Sequence, residues 1–125
     1  MTAKILLILT ALSGFTSVAL GAFAAHGLKN RLSSELLGVF QTGVQYQMFH
    51  TLALLAVVLM MAQGINSTWL KVTSYSWLLG MLFFSGSLYV LALTGTKWLG
   101  AITPLGGLLF LIGWLSLALT AWKEL

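Results

Sequence analysis

The chain has 125 residues, of which 59% are apolar and only 6% are charged, with a formal net charge of +4. A soluble globular domain carries charge on roughly a quarter of its residues, and a disordered chain pairs low hydrophobicity with high charge, so both are excluded. Six scattered basic residues are too few for a nucleic-acid surface, and the lack of cysteine excludes disulfides, thiolate metal sites and a thiol nucleophile.

Mean hydropathy is +1.00. A chain this short cannot bury that much apolar surface in its own core, so lipid must be part of its solvent. Lys4, Lys29, Arg31, Glu35, Lys71, Lys97, Lys123 and Glu124 leave uncharged stretches over 5–28, 36–70, 72–96 and 98–122. A helix crosses hydrocarbon in about 20 apolar residues and satisfies its own backbone there, so each stretch can span once. The longest, 35 residues, is too short for two spans and a turn. The expectation is an all-α, four-transmembrane-helix bundle, a single integral membrane domain over 1–125. Its helices are expected at about 5–25, 34–63, 70–94 and 103–122, with 42–63, 72–94 and 104–122 as the membrane-crossing parts of the last three.

Helix 1 follows Lys4 and ends before Lys29. Lys4, the apolar run and Ala22-Phe23-Ala24 also resemble a signal peptide with a small-residue cleavage site. The run of about 20 apolar residues exceeds the usual hydrophobic region, which favours a retained first span. Ser13, Ser17, Gly21 and Ala25 recur every four residues, a ridge of small side chains that lets another backbone approach closely. Internal packing is the first expectation for this ridge; a second copy or another protein of a larger membrane complex is the alternative. Helix 2 is announced by Ser33, Ser34 and Glu35, with the acid suited to the positive end of the helix dipole. It starts as an interfacial turn and stops at the 63–67 turn. Helix 3 ends at Gly95-Thr96-Lys97. Thr103-Pro104 reads as an N-cap followed by proline at the first helical position, or as a kink in a helix begun near Trp98. Gly80 follows Ser76 by four, and Gly113 follows Gly106 by seven, so helices 3 and 4 also carry small packing positions. Trp69, Trp98 and Trp122 fall at interfaces; Trp77 and Trp114 lie deeper, between helices.

Lys4, Lys71 and Lys123 share one membrane side, termed side A; Lys29, Arg31 and Lys97 share the other, side B. The positive-inside count is a tie. Lys4 and the amino terminus, next to the first helix, favour both termini in the cytoplasm.

Four segments together resemble one family. They are Gly21-Ala22-Phe23-Ala24-Ala25-His26-Gly27-Leu28; Tyr46-Gln47-Met48-Phe49-His50; Phe84-Ser85-Gly86-Ser87-Leu88-Tyr89; and Thr103-Pro104-Leu105-Gly106-Gly107 with Gly113-Trp114. The set is similar to the YgdD/YwdK-like family of small bacterial inner-membrane proteins, a domain of unknown function (four-two-three). The resemblance implies a multi-pass, four-helix protein of the bacterial inner (cytoplasmic) membrane. It implies no reaction, because the family has none assigned.

Counting depth at 1.5 Å per residue puts His50 about 12 Å inside side B and Tyr89 about 8 Å inside it. Tyr46 and Gln47 lie one turn shallower than His50, Ser85 one turn deeper than Tyr89, and Thr103, Gly106 and Gly107 at the side-B start of helix 4. His26 closes helix 1 on the same side. The other half is mostly Leu, Val, Met and Ile apart from 73–76 and Thr120. Polar groups in hydrocarbon must bond one another, so His26, Tyr46, Gln47, His50, Ser85, Tyr89 and Thr103 are candidates for a small polar cavity toward one leaflet. An interhelical network that only fixes packing explains the same residues. His50 is then expected to donate to one neighbour and accept from another among Tyr46, Gln47 and Tyr89.

The catalytic inventory is thin. The spans hold no acid, so paired-carboxylate chemistry and the embedded glutamate of four-helix multidrug transporters are missing. Two histidines without a third ligand make no metal site, and their different depths disfavour bis-histidine haem. No cofactor and no enzyme activity are expected. The leading expectation is an accessory or scaffolding bundle whose cavity holds a lipid or quinone, with the bilayer as first partner. The alternative is a small-solute or proton pathway through His50 and the neighbouring tyrosines, although 52–61 continues toward side A with only apolar residues.

Overall fold

A computed structural model describes the chain from Met1 to Leu125. It contains four helices and no strand: α1 (Ala3–His26), α2 (Ser34–Ala62), α3 (Thr68–Thr94) and α4 (Thr103–Glu124). All four are long and apolar enough to cross a membrane. At 29 residues, α2 is about 43 Å long against roughly 30 Å of hydrocarbon, so its ends extend into the interfaces.

Local chemistry explains where each helix stops. Ser33 caps α2 by accepting from the Leu36 N–H at 3.1 Å, with Glu35 in the first turn. Ser67 caps α3 by accepting from the Trp69 N–H at 3.2 Å. α3 ends at Gly95, whose φ of 71° lies in the left-handed region that glycine adopts without a Cβ penalty, and whose N–H reaches the Leu91 carbonyl at 2.7 Å. A 3-10 turn over Lys97–Ala101 leads into α4, so neither sequence reading of this start is complete. Pro104 occupies the first turn of α4, where a missing N–H is harmless. Thr103 does not cap the helix. Ile102 holds that position without a side-chain bond, and the Thr103 hydroxyl lies 2.7 Å from that of Ser87 on α3.

Packing follows chain order, α1 on α2, α2 on α3 and α3 on α4, with no other helix pair in comparable contact. Small residues set the α1–α2 approach. Thr10, Gly14, Ser17, Gly21, Ala24 and Leu28 alternate spacings of four and three, the spacing that keeps one helix face turned to a partner. A Cβ on Gly14 would touch Thr51 at 3.6 Å, and one on Gly21 would touch Val44 at 3.4 Å. The expected ridge with constant spacing of four fails at its end, where Ala25 is exposed and Ala24 is buried. Each step of four overshoots a turn by about 40°, so three steps carry Ala25 off the face.

The α3–α4 interface matches large groups to glycines. Thr103 meets Ser87, Gly106 meets the Phe84 backbone, Phe110 covers Gly80, and the Trp77 indole covers Gly113. Trp77 also donates its indole N–H to the Phe110 carbonyl at 3.2 Å. Two apolar clusters result. Leu6, Leu54, Val57, Val58, Leu70, Trp77 and Met81, joined from α4 by Phe110, form a cluster that runs from side A to mid-membrane, while Ala24, Leu28, Phe40 and Ala92 fill the half toward side B.

Buried polar side chains are not confined to the side-B half. Thr10, Thr73, Ser74, Ser76, Ser116 and Thr120 are buried toward side A. Thr10, Ser74 and Thr120 donate to carbonyls one turn back on their own helices, at 2.7, 3.0 and 3.0 Å. Such hydroxyls satisfy themselves and need no cavity.

Candidate functional site

The candidate residues separate onto two faces of α2. Relative to His50, Tyr46 is one turn back by four and Gln47 by three, which places them about 40° to one side and 60° to the other. Tyr46 and His50 consequently look toward α4, while Gln47 looks toward α1.

Gln47 is the hub of the first group. Its Oε1 accepts from the Tyr89 hydroxyl at 2.6 Å. Its Nε2 donates to the Ser13 carbonyl at 3.1 Å and to Thr16 Oγ1 at 2.9 Å. Thr51 donates to the Gln47 carbonyl at 2.7 Å, and the hydroxyls of Ser13 and Thr51 lie 2.7 Å apart. The Met81 sulfur closes the group at 3.6 Å from Ser13. Both ends of the amide are therefore used, and three helices are tied together at mid-depth. Thr16, Thr51 and Met81 were not singled out in the sequence. A hydroxyl at helical spacing from a buried glutamine was the available signal.

His50 anchors the second group, buried to 5% exposure. Its Nδ1 lies 2.8 Å from the Tyr46 carbonyl, and its Nε2 lies 3.1 Å from the indole nitrogen of Trp114. Indole nitrogen only donates, so Nε2 accepts; Nδ1 then carries the ring proton and donates to the carbonyl. The partners are thus a backbone oxygen and a tryptophan, not Gln47 or Tyr89. Phe110 stacks on the imidazole at 3.7 Å with the planes 8° apart, and Trp77 meets it edge-on at 5.6 Å. With both nitrogens engaged, neither is free for iron.

The remaining candidates stand elsewhere. Ser85 donates to the Gly43 carbonyl at 2.7 Å and serves the close α2–α3 contact. Thr103 serves the α3–α4 contact. His26 is exposed at the end of α1, apart from both groups. No buried side-chain polar atom lacks a partner.

Two grooves flank the central α2–α3 pair. One, of about 420 Å³, lies between α1 and α3 with Gln47 at its floor. The other, of about 490 Å³, lies between α2 and α4 with Phe84 at its floor. Tyr46, His50, Phe110 and Trp114 line the second, which runs along α4 from Pro104. Tyr46 and Trp114 are 39% and 46% exposed in it. Because α2 and α4 are not in close backbone contact, this groove opens sideways toward lipid.

A family model described as "Protein of unknown function (DUF423)" matches residues 20–107. The "UPF0382 membrane protein" of Haemophilus influenzae is 52% identical over 118 residues, 94% of each chain. The "UPF0382 membrane protein YwdK" of Bacillus subtilis is 44% identical over 126 residues, covering 98% of this chain and 99% of that one. The "UPF0382 inner membrane protein YgdD" of Escherichia coli is 46% identical over 114 residues, covering 91% and 86%. No solved structure matches the chain.

Proposed function

The chain belongs to the DUF423 family of membrane proteins, and from that premise we propose that it is a non-enzymatic accessory protein whose α2–α4 groove holds one amphiphile taken from the bilayer. The groove itself carries this reading. Its volume of about 490 Å³ falls in the range of small-molecule sites, roughly 300–1,000 Å³, and aromatic side chains with few polar groups line it as such sites are lined. The inner-membrane name of the Escherichia coli relative supports the same location here. A scaffold role fits the satisfied polar network, which ties helices together without leaving a reactive group. The proton-path alternative gains no comparable support. Both His50 nitrogens are engaged, and the buried Leu54, Val57 and Val58 follow it on α2 toward side A.

Native mass spectrometry of protein extracted in mild detergent tests the reading. One bound amphiphile should persist after annular lipid is stripped. Gly107→Leu should remove it. A Cβ on Gly107 would lie 3.8 Å from the Phe84 ring, ordinary contact, so a larger side chain enters the groove without forcing the helices apart. Retention of the same mass by a folded Gly107→Leu variant would overturn the proposal.

A further inference from the structure

We propose that the occupant of the α2–α4 groove is a glycerophospholipid whose ester carbonyl accepts a hydrogen bond from the Tyr46 hydroxyl and whose acyl chain runs from Pro104 toward Trp114. This rests on the groove reading above and adds the chemistry of the ligand.

The chain has three tyrosines. Tyr75 accepts from the amino terminus at 3.3 Å, and Tyr89 donates to Gln47 at 2.6 Å. Tyr46 alone has a hydroxyl with no partner in the protein, although its ring is fixed between Phe84 at 4.7 Å and Phe110 at 6.3 Å. A phenol in lipid needs an acceptor, because hydrocarbon supplies none. Depth identifies the acceptor. Phe110 lies seven residues into α4, about 10 Å below its side-B start. Side chains on a helix lean toward its N-terminus, which for α2 is side B, so the hydroxyl points up from that level toward the layer of glycerol esters.

The other end of the groove explains why the tail is plain hydrocarbon. From Pro104 to Trp114 is about 15 Å along α4. At that far end the Trp114 N–H is already given to His50 Nε2, and Nδ1 is given to the Tyr46 carbonyl. The groove thus offers one donor near its mouth and none at its deep end. An ester above an acyl chain fits that pattern. A quinone ring, with carbonyls on both edges, would leave one unpaired. Lys97 stands on the turn that leads into α4, and Lys29 and Arg31 share its membrane side, so the field there favours a phosphate headgroup.

Two phospholipids of identical headgroup and chain length, one diacyl ester and one dialkyl ether, separate the hydroxyl from the groove. Delipidated full-length protein is titrated with each and read by native mass spectrometry. Wild type should favour the ester about five-fold, the worth of one hydrogen bond. Tyr46→Phe, which removes a hydroxyl without a protein partner, should erase that preference and leave ether binding unchanged. Equal binding of both lipids by wild type, a preference that survives Tyr46→Phe, or tighter binding of a short-chain quinone than of the ester would each overturn the proposal. Gly107→Leu keeps the two levels apart. If it loses both lipids while wild type shows no ester preference, the groove stands and the Tyr46 assignment falls. If it binds both like wild type, the groove reading falls, and this one with it.

Discussion

Gly106 marks a close approach of α3 and α4, and its replacement by alanine should be costly where most glycine-to-alanine changes in helices help. A Cβ there would lie 2.7 Å from the Phe84 Cα and nearer still to the Phe84 nitrogen. Backbone cannot rotate aside as a side chain can, so the methyl must push the helices apart. Overpacking costs about 1–3 kcal/mol, and backbone contact puts this case near 3. Alanine recovers about 1 kcal/mol of helix propensity over glycine. The net loss expected is about 2 kcal/mol. Gly86 provides the control, since nothing lies within 4 Å of a Cβ placed there. Gly86→Ala should be neutral or stabilising by up to about 1 kcal/mol. Unfolding in mixed micelles with added SDS, followed by tryptophan fluorescence, would measure both; Trp77 and Trp114, 4.5 Å apart, report on this interface. Equal stability of Gly106→Ala and Gly86→Ala would refute the close approach and the α3–α4 register with it.

The polar groups give further expectations. Gln47→Leu strands the Tyr89 hydroxyl, while Thr16 keeps its own donor bond to the Ser13 carbonyl, and should lower stability by about 1–2 kcal/mol. Tyr89→Phe should then cost less by about 1 kcal/mol in the Gln47→Leu background than in wild type; additive losses would break the pairing. Nitrogen-15 correlation spectra should show His50 protonated at Nδ1 and bare at Nε2, and a proton on Nε2 would dismiss the Trp114 bond. His26→Ala should change the unfolding free energy by less than about 0.5 kcal/mol, since the side chain is exposed.

How much of this was readable beforehand follows from which interactions are local. A lysine or arginine cannot stay in hydrocarbon without large cost, so Lys4, Lys29, Lys71, Lys97 and Lys123 bracket spans directly, and four crossings follow from charge spacing alone. Small residues on α1 are legible in kind. Their phase is not, because the choice between Ala24 and Ala25 depends on where α2 lies. Nothing in the chain pairs Trp77 with Gly113 until the α3–α4 register is known. Depth counting set 73–76 and Thr120 apart as exceptions in the apolar half and passed over Thr10; Thr10, Ser74 and Thr120 bond one turn back on their own helices, which residue type alone does not reveal. The partner of His50 lies 64 residues away on α4, on a tryptophan assigned to packing. Only the fold could join the two.

The two grooves are close in volume and both open toward lipid, so size cannot choose between them. Polar accounting can. At the floor of the α1–α3 groove, Gln47 accepts from Tyr89 and donates to Ser13 and Thr16, and nothing there is left to offer a ligand. In the α2–α4 groove, His50 and Trp114 satisfy each other, and one phenol remains. Inside a membrane an idle donor is a larger penalty than at a wet surface, because no water stands ready to take it. Such a group persists where the solvent itself carries acceptors, and in a bilayer those lie in the ester and headgroup layers. Side chains on α2 lean toward its N-terminus at side B, so the ester layer of that leaflet is the nearest source of a partner for the Tyr46 hydroxyl.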